Sequence, residues 1–461
     1  ELVSSDRLLV SMTAALPCSR LCRLSSSFVK KEAQSLRSCN TTRRDWWCSL
    51  LPHPLYTCHG NVQWRFAATS CSKRHHGTTR LSSGPAHHVA PPGAANPRVN
   101  YITANIVGGL GNQLFLVSTL LATAWRHNDG LLKSGRKDVL ERASPSSACA
   151  SPSGGVQLFL ERVPWSDSCN EPRPTYWHSI FASLGGEAGS LLPAAVPAPD
   201  AVRVHVIPET RPVAPVVLPA AAELPIASTA LPIAFRLVGF FQSPIYFDDY
   251  RSALLALLKP LTLVDVARKC LSAYNQGEGA ALHTVALHIR RGDYVAMQDT
   301  FANLGIASYY DVALTSLFGN GLMRRDRRRG PVANLLVFSD DVQYAKIAAG
   351  RFASLYPGLS CAAVDVAATV AECSPSTPSD VVELLMMTEC DDVIMANSTF
   401  SWWGAYLNEC VAPAMTDPAA ADGGVALHRR RRGRVVAPSA WFTKQPFVEY
   451  RHIYAASWTL I

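Results

Sequence analysis

The chain of 461 residues is marked first by what it lacks. It has no uninterrupted run of the ~18 apolar residues a membrane-spanning helix needs. It has no D-x-D triplet, the carboxylate pair that commonly holds a divalent metal, and no C-x-x-C pair. The missing cysteine pairs exclude a zinc ribbon or finger. Charged residues make up only 17 % of the chain, and the acids are unevenly spread. Residues 1–99 hold 13 Lys and Arg against 4 Asp and Glu, so they account for all of the formal +8. The chain beyond residue 99 is close to neutral, which argues against a polyanion-binding body. The 13 cysteines are an odd number, six of them before residue 72. For Cys361, Cys373, Cys390 and Cys410, buried free thiols and disulfides of an oxidising lumen both remain open.

The residues that are present divide the chain into three. Residues 1–99 are rich in Ser, Arg, His and Thr without a sustained apolar period, and read as a disordered leader or targeting segment. A transit peptide starting near Met12 and a mispredicted exon fit this composition equally. The chain opens on Glu1, not Met, so the lack of an anchor carries little weight. Residues 100–280 form a first lobe. There YITANIV reads as a strand, VGGLGNQ as a tight turn and LFLVSTLLATAWRHN as a helix. A Pro/Ala-rich stretch at about 134–232 reads as an elaborated loop region, and order resumes with FRLVGFFQSPIYF. Residues 281–461 form a second lobe of alternating strands and helices: TVALHIRR, NLLVFSDD, VVELLMMTEC and DVIMANS, with a helix beginning near Phe400. This alternation specifies parallel sheets, whose ligands bind beyond the carboxyl ends of the strands.

The polar motifs fall at those ends. In HIRRGDY, Arg290 and Arg291 follow a strand of buried type, and two adjacent guanidinium groups do not enter a core unpaired. A guanidinium fork suits phosphate oxygens. The competing reading pairs both arginines with Asp293 and a neighbouring acid. An adhesion role for the tripeptide RGD conflicts with the strand before it. GGLGNQLF allows close backbone approach at a helix start, yet Leu114 stands where the dinucleotide fingerprint requires a third glycine, which argues against an NAD-type oxidoreductase. In SDD, Asp340 is either a ligand-orienting acid or part of a helix cap. In ANSTFSWWGAYL, hydroxyls and an amide precede a helix, while Trp402 and Trp403 either wall a pocket or fill the core. The sequon at Asn397 lies between a core strand and a helix, a poor place for a glycan.

Taken in order, GGLGNQLF, LVGFFQSPIYF, HIRRGDY, LLVFSDD and MANSTFSWWGAYL resemble the motif series of glycosyltransferase family 11, the α-1,2-fucosyltransferases, over roughly residues 101–410. The resemblance implies a GT-B-like fold of two Rossmann-like lobes and GDP-β-L-fucose as donor. It also implies metal-independent inverting transfer to the 2-hydroxyl of a galactoside in a glycan. It gives Arg290 the donor diphosphate, with Arg291 in support, and sets His288 and Asp293 beside them to contact the donor or fix the arginines' geometry. All three of Arg290, His288 and Asp293 are catalytic candidates, and Asp293 is the carboxylate assigned as general base. Gly109, Gly111, Asn112 and Gln113 match the glycine-turn positions, and Ser398, Thr399 and Ser401 a second anion-contact segment; Asp340 is a further donor contact. Glu383 stands where such proteins carry a donor-contacting Asp. No cofactor or metal is expected. Golgi location and an N-terminal membrane anchor are implied by the family, although the sequence displays no such anchor. Other readings are a catalytically inactive glycan- or nucleotide-binding protein of this fold and a fucosyltransferase of another linkage.

Overall fold

The computed structural model describes residues 100–133, 155–160, 165–166, 173–184, 203–219, 232–274, 282–319, 331–408 and 433–461. The leader, the greater part of the Pro/Ala-rich stretch and Cys410 lie outside them. All described residues belong to one compact unit, Gly93–Ile461.

The first lobe contains β1 (Asn100–Ala104), α1 (Leu110–Lys133), β2 (Val156–Leu158), the short antiparallel pair β3 (Trp165–Ser166) and β4 (Arg173–Pro174), β5 (Arg203–Pro208) and β6 (Ile233–Val238). Helices α2 (Arg251–Leu258) and α3 (Leu261–Ser272) follow. Its sheet is parallel in the order β2-β1-β6-β5. Two of these four strands, β2 and β5, lie inside the stretch that composition marks as loop. Strand β5 escapes a compositional reading because it is an edge: Val204 and Val206 face outward, so no apolar run builds up.

The second lobe runs β7 (His283–Ile289), α4 (Asp311–Phe318), β8 (Ala333–Ser339), α5 (Val342–Leu355), β9 (Leu359–Ala363), α6 (Ala367–Cys373), α7 (Ser379–Thr388), β10 (Asp392–Ile394), α8 (Thr399–Tyr406), β11 (Val435–Ala437), α9 (Phe447–Tyr450) and β12 (Thr459–Leu460). All six strands are parallel, in the order β9-β8-β7-β10-β11-β12. Counting from β7, this is the 3-2-1-4-5-6 order of a doubly wound nucleotide-binding sheet. The order reverses between β7 and β10, so the carboxyl ends of these two strands flank the switch point.

Strand β7 is buried on both faces, as the run TVALHI predicts. Val285, Leu287 and Ile289 pack with α4 and α5, while Ala286 joins the core shared with α1, α7 and α8. That second core joins the two sheets through α1 and α8. The Phe115 ring lies 4.5 Å from that of Trp402 and 5.1 Å from that of Trp403, which stacks on Phe247 at 5.4 Å. Both tryptophans are fully buried, so they fill the core and do not wall a pocket. The result is a GT-B-like pairing of two parallel α/β sheets.

Candidate active site

At the carboxyl end of β7 the chain leaves the sheet through Arg290 and enters a single tight turn, Gly292–Val295. The guanidinium of Arg290 donates from Nη2 to Asp293 Oδ1 at 2.5 Å and from Nη1 to Asp340 Oδ2 at 2.6 Å, and it lies over the Tyr294 ring at 5.2 Å. Tyr294 in turn stacks on Phe301, with ring centres 3.9 Å apart. Asp340 also accepts the backbone N–H of Arg291 at 2.8 Å. The Arg291 guanidinium covers Tyr344 at 4.1 Å, with Asp341 at 3.8 Å. The pairing of both arginines with local acids is therefore present. It leaves Arg290 accessible, with 22 % of its side chain exposed against 33 % for Asp293 and 26 % for Asp340.

The two readings of SDD divide between neighbours. Asp341 caps α5 by accepting the Tyr344 N–H at 2.9 Å, whereas Asp340 faces the arginines. Gly292 has no room for a side chain, since a Cβ there would collide with Asp340 Oδ2. The glycine in RRGD thus permits the approach of Asp340 to Arg290.

At the end of β10, Asn397 is buried and donates to the carbonyls of Ala302 and Trp441 at 2.9 and 3.0 Å, so the sequon asparagine is spent inside the fold. Ser398 caps α8 through the Phe400 N–H, and Ser401 bonds the backbone at Ala396 and Ser398. The hydroxyl of Thr399 lies at the contact with the first lobe. There Gly111 meets it: a Cβ on Gly111 would stand 2.5 Å from both the carbonyl carbon and Oγ1 of Thr399. Gly109 has open space around its Cβ position, so close packing demands glycine at Gly111 and not at Gly109. This contact brings the amino ends of α1 and α8 together, one from each lobe. Asn112 accepts a hydrogen bond from Gln242, and Gln113 is buried with its Nε2 donating to the carbonyls of Gly108 and Pro174.

His288 lies on the face of β7 that looks toward this junction, its ring 5.3 Å from that of Phe400. Burial and then the nearby Arg290 push its pKa down to about 3, so the imidazole is neutral. Its Nδ1 has no hydrogen-bond partner among the described residues. Glu383, on α7, is held up at about 8 by burial first, then by the fields of Asp380, Asp365 and Asp340. It is a neutral acid at pH 7, a donor as well as an acceptor. The sites at Arg290, Asp340, His288 and Glu383 thus share one end of the second sheet, and the glycine turn adjoins them through α8.

Residues 227–416 match the family described as Glycosyl transferase family 11. Over that region the chain is similar to this family. Two relatives from Escherichia coli are an O-antigen biosynthesis glycosyltransferase, WbnK, and an alpha-1,2-colitosyltransferase. The first is 29 % identical over 38 % of this chain and 51 % of its own length, the second 25 % over 45 % and 56 %. The chain thus spans about half the length of these relatives. The crystal structure of fucosyltransferase NodZ from Bradyrhizobium overlays at 12 % identity and a TM-score of 0.34, covering 67 % of this chain and 93 % of that one. The strand order, not that overlay, carries the fold.

The family 11 region holds HIRRGDY, SDD, Glu383 and the α8 segment but begins after the glycine turn. Sequence reasoning gave no role to Tyr294 and Tyr344, the rings under the two arginines, although both belong to or follow the motifs. An aromatic four residues beyond Arg290 is the signal that marks Tyr294, whereas Tyr344 meets Arg291 only in three dimensions. It also passed over Glu209 and Gln242, which meet the glycine turn only in three dimensions.

Proposed function

We propose that this chain transfers L-fucose from GDP-β-L-fucose to the 2-hydroxyl of a galactoside in a glycan, with inversion and without a metal. The observation that carries the reading is the accessible Arg290 at the switch point of a doubly wound sheet, where such folds take nucleotides. The match of residues 227–416 to glycosyl transferase family 11 supports glycosyl transfer, and the relative named as a 1,2-transferase supports the linkage.

Without donor, Arg290 is neutralised by Asp293 and Asp340, which hold its fork in place. An arriving diphosphate competes with these carboxylates for the same N–H groups and, carrying more charge, takes them over. Asp293 is then released beside the reacting centre as a carboxylate able to accept the proton of the acceptor hydroxyl. The oxygen of that hydroxyl forms a bond to the anomeric carbon as the bond to GDP breaks. Arg290, with Arg291 in support, meets the charge left on the diphosphate. Neutral Glu383 donates to the nucleotide from the α7 side.

The same double pairing of Arg290 is what favours the second reading, a protein of this fold that binds but does not transfer. Calorimetric GDP titration together with mass spectrometry of lactose incubated with GDP-fucose separates the two. Arg290→Ala is expected to weaken GDP binding and to lower transfer about 10²–10³-fold, the scale for losing one donor to developing charge. Turnover and GDP affinity near the parent values in that variant would overturn the diphosphate role.

A further inference from the structure

The loop that leaves β6 is held in a conformation its residues do not prefer. Phe241 is buried at φ +52°, a left-handed value that a bulky side chain rarely takes. Two residues earlier Gly239 has φ +149°, and a Cβ there would stand 2.5 Å from Glu209 Cβ. Glu209, just beyond β5, holds the loop: its Oε2 accepts the N–H groups of Phe240 and Phe241 at 3.1 and 3.0 Å, and its Oε1 accepts the Tyr246 hydroxyl at 3.2 Å. Ser243 ties down the far end by donating to the His452 carbonyl at 2.7 Å. Backbone strain of this kind persists where the surroundings over-determine it, and it concentrates where a side chain has to be aimed.

The side chain so aimed is that of Gln242. Its Nε2 donates to Asn112 Oδ1 at 3.0 Å, joining the exit of β6 to the glycine turn at the exit of β1. These two strands are the neighbours at which the order of the first sheet reverses, so the amide pair occupies that sheet's own switch point. Gly108, at φ +73°, leaves the space: a Cβ on it would stand 2.5 Å from Asn112 Nδ2. The bond uses one group of each amide. Asn112 Nδ2 and Gln242 Oε1 have no hydrogen-bond partner among the described residues. On the same turn the buried Gln113 keeps an unpartnered Oε1.

Two joined amides that offer one donor and one acceptor complement two adjacent hydroxyls, each of which both donates and accepts. We propose that Asn112 and Gln242 form a subsite for the vicinal hydroxyls of a neutral sugar, and that Glu209 positions it through the strained loop. The proposal rests on the transferase reading above and adds to it where the sugar is read.

The test uses saturation-transfer NMR with L-fucose, D-galactose and lactose as probes, on the full chain, beside GDP calorimetry and thermal melting. The parent is expected to give a signal with at least one of these sugars. Gln242→Leu is expected to lose about tenfold or more in affinity for it, the cost of leaving hydroxyl-binding groups unmatched, while GDP affinity and melting stay at the parent values. Gln242→Asn keeps the polarity but withdraws the amide by one methylene, and should lose affinity in the same direction even if the leucine variant folds poorly. Glu209→Gln should raise KM for the sugar substrate more than it lowers kcat. Equal sugar binding by parent and both Gln242 variants, or no sugar signal in the parent, overturns the subsite. A parent that binds sugar through Gln242 but not GDP keeps the subsite and overturns the nucleotide reading instead.

Discussion

Strand β7 starts and finishes at an arginine–carboxylate network, and the two networks differ in how far water reaches their carboxylates. At its amino end Asp392, the first residue of neighbouring β10, accepts from His283 Nε2 and Arg434 Nη2, each at 2.9 Å, and from the Arg434 backbone at 2.6 Å. Its side chain is 1 % exposed. At the carboxyl end Arg290 is held as closely by Asp293 and Asp340, but every member stays a fifth to a third exposed. The same chemistry does opposite work. A sealed carboxylate has no competitor for its hydrogen bonds and ties strands together, even though its partners His283 and Arg434 are 29 % and 31 % exposed. An open pair can exchange a carboxylate for a ligand phosphate, because water and ligand compete on equal terms. The parallel sheet assigns the sealed carboxylate to the amino edge and the open ones to the edge where ligands bind.

The contrast between the networks breaks first at Asp392. Asp392→Asn should cost about 1.5–3 kcal/mol of folding stability in urea titration, because the buried carboxylate that gathers His283 and Arg434 loses its charge, while GDP affinity of the folded protein stays at the parent value. Burial alone would raise the pKa of Asp392, but hydrogen bonds from His283 and Arg434 together outweigh it and hold the carboxyl below 3.8. The stability it contributes is therefore present above the ordinary carboxylate range and lost as pH falls through the lowered value. Loss of GDP binding with unchanged stability would reverse the roles of the two networks.

The open network is sharpened by Asp293→Asn. With one competitor gone, Arg290 should bind GDP more tightly, by about fivefold or less, since a partly exposed pair is worth up to ~1 kcal/mol. Transfer should fall in the same variant, because the proton acceptor is gone. Tighter GDP with unchanged turnover would leave Asp293 as a mere counter-ion for Arg290 and send the search for the base elsewhere.

Much of this contrast is legible in the sequence, and the parts that are not have physical causes. HIRRGDY and SDD announce themselves because charged residues follow short, unbroken apolar runs of buried-strand type. The core strands β7 and β8 are read for the same reason. Strands β2 and β5 are not: a three-residue strand shows no period, and an edge strand with outward valines amid Pro and Ala looks like a loop. The assignment of Asp340 to arginine and Asp341 to the helix cap could not be read from adjacent identical residues; it depends on which carboxylate the strand turns toward β7. The serines of α8 read as anion contacts because hydroxyls at a helix start serve ligands and caps alike, and here Ser398 and Ser401 are taken up by the backbone.

The last expected effect carries the sign opposite to that of Asp392. Glu383 stands on the open side of the second sheet with its pKa raised from 4.5 to about 8, because burial and then Asp380, Asp365 and Asp340 disfavour its charge. Between these two values the folded chain holds a proton that the unfolded chain has released, so stability falls as pH rises through that window and levels off above it. Glu383→Gln keeps the shape and removes the titration. Its melting advantage over the parent should therefore be larger at pH 9 than at pH 5. If the nucleotide receives a hydrogen bond from the neutral acid, GDP affinity of the parent should also decline above pH 8, while that of the glutamine variant stays level. A parent whose stability stays level across the same window would mean that Glu383 is ionised in the fold, a further carboxylate beside Asp293, Asp340 and Asp341 against two guanidinium groups.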